Sequence, residues 1–348
     1  MNSKFVEIQV NENERWNKLV RAYTKCDVYY LSGYTKAFQH HGDGEPLLIY
    51  YEDDEIRGMN VVMKRDIATD MRFKGKIPPN TYFDLITPYG YGGWVVEGEG
   101  NTEPMFSEYE EWAKEQNVVS EFVRFHPVLN NAHFSRSAYE VIPLGGTIAL
   151  DISSEEKIWA NITSKSRNMI RKAEKNGITI HKGRSSELFE TFRKIYNATM
   201  DKDNADAYYY FAPEFYESIR VDLPDNSEVF YAEYENKIIA ASIIIFENNR
   251  LNYHLSGSIR EYQHLAPTNL LLYKAALWGC EKGFETFHLG GGVGSGEDSL
   301  FKFKKSFYRG EPCRYQIGKK IFLPKEYDML LSLRGDMPQG GFFPKYRA

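Results

Sequence analysis

The chain has 348 residues, enough for about two domains of ordinary size. Hydrophobic residues make up 42% of it and aromatic residues 15%, a composition that excludes disorder and supplies an ample core. The formal net charge is −5, so no global attraction to nucleic acid or to an anionic membrane is expected. Any contact with a polyanion must therefore come from a local patch.

The cysteine spacing and the lengths of the apolar segments indicate the cellular compartment in which the protein is expected. Cys26, Cys280 and Cys313 have neither the spacing of a metal site nor that of a redox motif, which suits a reducing environment. No opening apolar segment resembles a signal peptide, and IIAASIIIF is too short to cross a bilayer. These features predict a cytoplasmic protein without an integral membrane segment.

The first half predicts an ordered series of strands and helices. In chain order these are a strand and a helix up to about Tyr34, a β-hairpin (PLLIYY and IRGMNVVMKR), a strand (TYFDLI) ending in the loop ITPYGYGG, a helix over Pro104–Gln116, and a strand (VVSEFVRFHP).

The second half repeats that order. VFYAEY and IIAASIIIF form a hairpin around a tight polar turn, RLNYHLSGS is the next strand, and a helix and the short strand FETFHL follow. Local matches between the halves, such as YYEDDEIRGMNVVM with AEYENKIIAASIII, favour an internal duplication over chance similarity of amphipathic patterns.

A connector with a basic helix lies between the halves. Ser153 or Ser154 is expected to cap a first helix, and a second runs from about Ser164 to Asn176. On the second, Arg167, Arg171 and Lys175 are spaced by four and share one face, with little acidic compensation. The stripe either binds phosphate or is a solvated surface, and the sequence leaves both open.

The stretch from Leu251 to Phe307 dominates the second half. A helix is predicted from Pro267 to Gly283, with the side chains of Thr268 and Asn269 satisfying free N–H groups at its start. Free N–H groups at a helix N-terminus bind phosphate and oxyanions well.

The segment FKFKKSF follows a glycine-rich loop. Strand-like alternation there would place Lys302 and Lys304 on one face and the phenylalanines on the other. The working hypothesis is a phosphate-bearing donor held between the helix start and these lysines. The alternative is a surface helix followed by a solvated basic edge strand.

Several kinds of chemistry are excluded by missing motifs. The chain has no HExxH, Cys/His zinc spacing or EF-hand loop, so no metal is expected, and it has no P-loop, dinucleotide fingerprint or GxSxG elbow. Direct attack of an amine on an activated acyl donor remains, which requires oxyanion stabilisation and a proton acceptor. The candidate acceptors are His254, His288, Glu297 and Asp298.

The motifs TSKSRNMIRKAEKNGITI, NYHLSGS, APTNLLLYKAALWGCEKGFETFHLGGG and LFKFKKSF resemble the Fem family of peptidyltransferases and its Fem-like (BioF2-like) acetyltransferase relatives in the GNAT superfamily. The resemblance implies an α+β fold of two tandem GNAT-like (acyl-CoA N-acyltransferase) units with mixed sheets flanked by helices. The expected boundaries are a first unit over 1–148, a second over 149–320 bearing the donor site, and a C-terminal tail over 321–348.

The resemblance and the residue patterns described above together give the candidate site residues. The resemblance itself carries Lys304, Phe303, Tyr253, Ser256, Gly257, Ser258, Tyr89, Tyr91, Gly92 and Tyr210. The candidate catalytic residues are Lys304, Tyr253 and His254. The donor-binding residues, including the basic and helix-start side chains, are Ser256, Gly257, Ser258, Thr268, Asn269, Lys302, Phe303, Lys305, Arg167 and Arg171. The acceptor-binding residues are Tyr89, Tyr91, Gly92, Tyr210, Gly291 and Glu297.

Two activities follow from the resemblance. The first is transfer of an aminoacyl group from aminoacyl-tRNA to an amine of a peptidoglycan or surface-glycan precursor. The second is acetyl- or acyl-CoA-dependent N-acetylation of an amino sugar or small amine; a non-enzymatic binding module is a third interpretation. No tightly bound cofactor is expected. YQHLAPTN replaces the usual acetyl-CoA pyrophosphate loop, which weighs against the second activity, and the coiled-coil arm of some Fem proteins is absent.

Overall fold

The computed structural model describes residues 3–335 and 340–348. The chain divides into two units, unit 1 comprising Met1–Leu144 with Tyr315–Ala348 and unit 2 comprising Gly145–Arg314. Of the expected 321–348 tail, residues 336–339 lie outside the described residues.

Unit 1 alternates strands and helices. Its elements up to the boundary are β1 (Lys4–Gln9), α1 (Asn13–Arg21), α2 (Ser32–His41), β2 (Glu45–Glu52), β3 (Ile56–Asp66), β4 (Phe83–Ile86), β5 (Val95–Gly98), α3 (Glu103–Glu115), β6 (Val118–Arg124) and β7 (Glu140–Asp151), the last of which continues into unit 2.

The remaining elements complete unit 2 and return to unit 1. They are α4 (Glu155–Asn161), α5 (Ser164–Lys175), β8 (Thr179–Gly183), α6 (Ser186–Lys202), α7 (Pro213–Asp222), β9 (Ser227–Tyr234), β10 (Lys237–Glu247), β11 (Arg250–Ser258), α8 (Pro267–Glu281), β12 (Thr286–Gly290), α9 (Ser299–Lys305), β13 (Cys313–Ile321) and α10 (Pro324–Arg334).

The two units have the same strand order. Unit 1 runs β1-β2-β3-β4-β6-β13, with β5 added beside β3, and unit 2 runs β8-β9-β10-β11-β12-β7. In each unit the fourth and fifth strands are parallel and the other neighbouring strands along these orders antiparallel. A helix connects each parallel pair, α3 in unit 1 and α8 in unit 2, as a parallel connection requires. The predicted tandem arrangement of mixed sheets flanked by helices is confirmed.

Many of the predicted element ends are confirmed. The hairpin turn between β9 and β10 uses Glu235 and Asn236, both with positive φ, as a two-residue hairpin loop requires. Ser154 caps α4, and Gly283 follows α8 with φ of 81°.

The segment FKFKKSF is a helix, so the predicted strand alternation there is wrong. Asp298 accepts a hydrogen bond from the Phe301 N–H and starts α9 as its N-cap. Residues two apart on a helix point about 200° apart, which separates Lys302 from Lys304. Lys302 is exposed and Lys304 is only 8% exposed.

The predicted capping of α8 by Thr268 and Asn269 is also wrong. The N-cap residue is Ala266, in the left-handed conformation and without a side-chain cap. The Asn269 side chain instead donates to Ser166 Oγ on α5, at 3.1 Å. Its amide therefore links two helices instead of satisfying the helix start.

Within unit 1, a buried ionic cluster joins the C-terminal segment to β3 and β4. Asp84 on β4 is fully buried and accepts from Arg65 Nε at 2.7 Å and Arg347 Nε at 2.5 Å, with the Tyr346 hydroxyl at 3.2 Å. Burial raises the pKa of Asp84, but the two guanidinium groups outweigh this and hold that pKa below its ordinary value.

Arg347→Met should therefore lower the free energy of unfolding by about 3 kcal/mol at pH 7, because it removes one cationic partner of the buried Asp84 carboxylate. Since the pKa of Asp84 is lowered on folding, this contribution is fully present above the ordinary aspartate pKa of about 4 and disappears as the pH falls through the lower folded value. Urea unfolding at pH 7 and in acid measures both effects. Arg15→Met, which breaks the exposed pair with Glu12, is the control; equal losses in the two variants would contradict the prediction.

Candidate active site in unit 2

A β-bulge shapes the end of β11. Opposite β10, Ile243 pairs with Leu255 but Ile244 pairs with Tyr253, so His254 is the extra residue. In a regular strand, positions 253 and 256 face opposite sides because side chains alternate. The bulge shifts this alternation by one and brings Tyr253 and Ser256 to the same side.

Three hydroxyl groups meet on that side. Ser242 on β10 lies opposite Ser256 in the register, and its Oγ donates to Ser256 Oγ at 2.9 Å. Burial raises the pKa of the Tyr253 phenol, and hydrogen bonds from Ser256 and Ser242 oppose this rise. We call Tyr253, Ser256 and Ser242 the hydroxyl cluster; at neutral pH all three groups keep their protons.

Lys304 approaches the same place from α9. Its Nζ lies 5.8 Å from the centroid of the Tyr253 ring and donates to Gly291 O at 2.7 Å. Burial lowers the pKa of Lys304 to about 8, against the opposing attraction of Asp298. The ammonium is thus charged at neutral pH but can exchange its proton within the physiological range.

The loop between β12 and α9 has its shape fixed by Asp298. This carboxylate accepts from Val293 N at 2.9 Å and from Phe301 N at 2.7 Å, and these hydrogen bonds lower its pKa. A Cβ at Gly292 would lie 2.4 Å from Asp298 Oδ1, which requires glycine there. Asp298 therefore holds the loop that presents Gly291 O to Lys304, while Glu297 is exposed.

His254 and His288 were both predicted as candidate proton acceptors, and the structure places both in restricted environments. Burial lowers the pKa of His254 to about 3, which makes its imidazole a weak base at neutral pH. His288 is 2% exposed on β12. Of His254 and Lys304, the lysine has the pKa closer to physiological pH.

Ser256, Gly257 and Ser258 have different environments. Gly257 packs against the backbone of α6, where a Cβ would lie 2.8 Å from Ile195 O. Ser258 N donates to Thr199 Oγ1 at 3.0 Å, and Gln263 Nε2 donates to Ser258 Oγ at 3.0 Å. Only Ser256 joins the hydroxyl cluster; the other two fix β11 to its neighbours.

The basic stripe of α5 is partly ordered by an aromatic ring. The guanidinium groups of Arg167 and Arg171 lie 5.6 and 5.2 Å from the centroid of Trp159. The only acidic residue of α5, Glu174, pairs with Lys274 on α8 at 3.2 Å. The exposed lysines of the same helix are Lys165, Lys172 and Lys175. The helix therefore presents a cluster of cations without a carboxylate of its own to neutralise them.

The other donor-binding candidates on α9 point elsewhere. Lys305 donates to Gly310 O and lies 5.7 Å from the Tyr308 ring, and Phe303 packs edge-to-face on Phe307 at 5.5 Å. Lys302 is exposed. Of the three lysines, only Lys304 approaches the hydroxyl cluster.

In unit 1, the Tyr-Gly loop is held by polar contacts to its backbone. Tyr89 O accepts from the Tyr34 hydroxyl at 2.5 Å, and Gly92 O accepts from Asn131 Nδ2 at 2.9 Å. Tyr91 packs edge-on against Tyr29 and Tyr315, at 5.5 and 5.8 Å. Tyr89 and Tyr91 are half-buried, so the loop offers two fixed, partly accessible aromatic rings.

A buried pair that the sequence did not reveal supports this loop. His126 Nε2 lies 3.2 Å from Asp27 Oδ2, and both side chains are wholly buried. His126 Nδ1 accepts from Leu129 N at 3.2 Å, so Nε2 carries the proton in the neutral ring. No motif signals this pair, because its members are 99 residues apart.

Tyr210 and its neighbours lie at the surface of unit 2. The Tyr210 hydroxyl donates to Asp201 Oδ1 at 2.8 Å, which raises the pKa of the phenol. Tyr208 and Tyr209 are exposed. Of the predicted acceptor residues in unit 2, Gly291 is the one with a direct contact to Lys304.

Two features are absent from residues 3–335 and 340–348, a metal-binding cluster and a membrane-spanning helix. No group of three or more His, Cys, Asp or Glu residues is arranged to hold a metal ion. No described helix combines the length and apolarity needed to traverse a membrane.

Comparison with known proteins places the hydroxyl cluster and Lys304 within a recognised domain. Residues 161–305 match the family described as acetyltransferase (GNAT) domain. A UDP-N-acetylmuramoylpentapeptide-lysine N(6)-alanyltransferase from Weissella viridescens is 24% identical over 172 residues, which cover 48% of this chain and 50% of that enzyme. The second half of the chain thus resembles a GNAT domain, and the chain is similar in sequence to a Fem-family alanyltransferase. The match spans about half the length of the alanyltransferase.

Solved structures extend the likeness of fold to both units. The crystal structure of FemX has a TM-score of 0.66 at 12% identity, covering 94% of this chain and 99% of that one. A tandem GNAT protein from the clavulanic acid biosynthesis pathway has a TM-score of 0.52 at 8% identity, covering 92% and 99%. Both agree with two GNAT-like units in one chain.

The contact between β11 and α6 gives a test of the site's framework. Gly257→Ala should lower the free energy of unfolding by roughly 1–3 kcal/mol, since the new methyl group meets helix backbone that cannot rotate away. Gly296→Ala is the matched control, because its Cβ would find no atom nearer than 3.9 Å. Chemical denaturation of both variants measures the difference; a Gly257→Ala protein as stable as the control would show that α6 adjusts freely.

Proposed function

We propose that this chain is an acyltransferase that moves an aminoacyl group from aminoacyl-tRNA to an amine of a peptidoglycan or surface-glycan precursor. The observation that carries the proposal is Lys304, a buried amine with a pKa of about 8 beside the hydroxyl cluster, inside the segment that matches a GNAT domain. The relative from Weissella viridescens is named as an alanyltransferase acting on a lysine of such a precursor, which supports an aminoacyl group as the cargo and this class of acceptor.

The reaction needs no covalent bond to the protein. The acceptor amine attacks the carbonyl carbon of the aminoacyl ester, and a C–N bond forms while the carbonyl oxygen becomes an oxyanion. The ester C–O bond then breaks, and the proton lost by the amine ends on the ribose hydroxyl that leaves. The ammonium of Lys304 and the phenol of Tyr253 are suited to stabilise the oxyanion.

Proton movement can also involve Lys304. With a pKa of about 8, it can give a proton to the leaving ribose oxygen and recover one from the attacking amine. His254, with a pKa of about 3, would be a poor base in this step. We therefore assign Lys304 and Tyr253 the catalytic roles and His254 the structural role of the bulge residue.

The carrier of the acyl group would be held by the cations of unit 2. Phosphate groups of RNA attract lysine and arginine, and arginine binds them through its planar N–H edge. The guanidinium groups of Arg167 and Arg171 lie 5.6 and 5.2 Å from the centroid of the Trp159 ring, and we propose that their N–H groups bind these phosphates. Lys302, which is exposed on α9, completes the proposed donor surface. We place the reaction in the cytoplasm, where aminoacyl-tRNA is found.

The acceptor would be bound by aromatic and backbone groups. We propose that Tyr89, Tyr91 and Gly92 in unit 1, and Tyr210, Gly291 and Glu297 in unit 2, provide them. Tyrosine rings with one polar end suit an acceptor that carries both sugar or peptide surface and hydrogen-bonding groups.

An acyl-CoA-dependent N-acetyltransferase is the second candidate, favoured by the description of the matching family as acetyltransferase. The start of α8 is the observation that weighs against it. Pro267 has no N–H to offer a pyrophosphate, and Leu265 and Ala266 before it are buried, where an acyl-CoA site would have glycines.

The donor can be identified directly. Purified protein is incubated with a tRNA pool charged with labelled amino acids and with a peptidoglycan precursor ending in a free lysine amine. We expect label in the precursor, and we expect its loss when the charged tRNA is first treated with RNase. Transfer from acetyl-CoA that is indifferent to RNase would instead establish the second candidate.

Lys304→Met should reduce kcat by about 10²–10³-fold, because the charge that faces the oxyanion is removed. The parent enzyme should lose kcat/KM as the pH rises through about 8, where Lys304 loses its proton. That alkaline loss should be absent from the residual activity of the variant. A pH series of initial rates measures both effects.

The stability of the same variant separates catalysis from folding. Because the pKa of Lys304 is lowered on folding, the unfolded chain binds the proton more tightly and the charged lysine opposes folding at neutral pH. Lys304→Met should thus be at least as stable as the parent at pH 7. Lys194→Met, at an exposed position of α6, is the activity control; an active Lys304→Met enzyme would overturn the assigned role.

A further inference from the structure

Ser242 is a polar side chain in a strand that is otherwise apolar. It lies in the middle of β10, is 0% exposed, and has Ala240, Ala241, Ile243 and Ile244 as buried neighbours. Burying a hydroxyl costs free energy unless it is hydrogen-bonded, and alanine would fill the position almost as well. Packing alone therefore does not account for a serine there.

The bulge gives this hydroxyl its partners. Ser242 stands directly opposite Ser256, and its Oγ lies 2.9 Å from Ser256 Oγ. Because His254 shifts the alternation of β11, Tyr253 turns its phenol to the same two serines. Without the bulge, Ser242 would face the opposite side of the strand from Tyr253.

The number of protons in the hydroxyl cluster sets the direction of the hydrogen bonds. Each of the three groups has one proton to donate. Ser242 gives its proton to Ser256 Oγ, so Ser256 is the donor toward the phenol oxygen of Tyr253, and this opposes the effect of burial on the pKa of that phenol. With its acceptor side occupied by serine, Tyr253 keeps its own proton for a group outside the cluster.

We propose that Ser242 is a positioning residue for acyl transfer, which acts through Ser256 and Tyr253 to aim the phenol proton of Tyr253 at the acyl oxygen beside Lys304. The inference rests on the proposed function. No bond to Ser242 forms or breaks; its hydroxyl fixes the orientation of a donor before the substrate arrives. A phenol that is held in place contributes more than one that must reorient during the reaction.

A double-mutant cycle tests the link. Ser242→Ala should lower kcat about three- to tenfold, the range of one ordinary hydrogen bond, with KM for the donor little changed. In a Tyr253→Phe background the same change should have no further effect, because there is no phenol left to orient. Independent, multiplying losses from the two changes would overturn the proposal.

The control is another buried serine in the same sheet. Ser227 on β9 is 1% exposed and donates to Ile219 O and Leu223 O, away from the hydroxyl cluster. Ser227→Ala should lose stability comparably to Ser242→Ala while keeping the parental kcat. If the control loses as much kcat as Ser242→Ala, the effect is one of folding and the proposal fails.

A second measurement does not depend on turnover. Protein labelled with 3-fluorotyrosine is studied by fluorine NMR, and the Tyr253 signal is assigned by its loss in Tyr253→Phe. Ser242→Ala should move that signal and shift its titration to higher pH, because a donor to the phenolate is lost. An unchanged signal would overturn the proposal even if no acyl donor supports activity, whereas failed transfer with a shifted signal would count against the proposed function alone.

Discussion

The hydrogen bond from Lys304 Nζ to Gly291 O is the interaction around which unit 2 arranges its candidate site. A lysine on a helix of seven residues is turned inward, where its charge is costly, and it is given one backbone carbonyl as an acceptor. For that carbonyl to be in place, the loop after β12 must keep its shape. Asp298 meets this need by binding the backbone on both sides of the turn.

The same lysine links stability to function. Burial that lowers its pKa to about 8 makes the folded state less favourable than an apolar side chain would. It also places the proton where it can be exchanged at physiological pH. A group of this kind is expected where chemistry requires it, since structural positions are served better by residues without charge.

The sequence predicts the regular elements well and the decisive irregularities poorly. Hairpins with polar turns and the helix ending at Gly283 have strong local signals, and they lie where expected. The phenylalanine and lysine pattern after residue 300 suits a strand as well as a helix, and only the cap at Asp298 decides between them. The side chain of Asn269 could either cap the start of α8 or hydrogen-bond to a neighbouring helix. Its actual partner, on α5, is 103 residues away in the sequence, so local patterns do not indicate it.

The bulge at His254 is the feature that no pattern in the chain predicts. Its effect is to align residues that strand periodicity would separate, so Ser242 had no assigned role and Ser256 was identified by resemblance alone. The list of candidate residues therefore lacked Ser242 and could not show that Ser242, Ser256 and Tyr253 lie on the same side of the sheet. The contacts among these residues depend on one extra residue in the pairing of β10 with β11. Such a bulge is set by the tertiary structure, so strand periodicity in the sequence does not predict it.

The two units have the same strand order but differ at this point. β4 in unit 1 occupies the place of β11 in unit 2, yet its ladder with β3 runs without a shift in register. Its buried polar residue, Asp84, is neutralised by Arg65 and by Arg347 from the C-terminal segment. The Asp84 carboxylate is fully buried and already paired with two arginines, so it offers nothing to a substrate. The bulge and its hydroxyl groups are therefore features of unit 2, while the corresponding strand of unit 1 carries a buried ion pair.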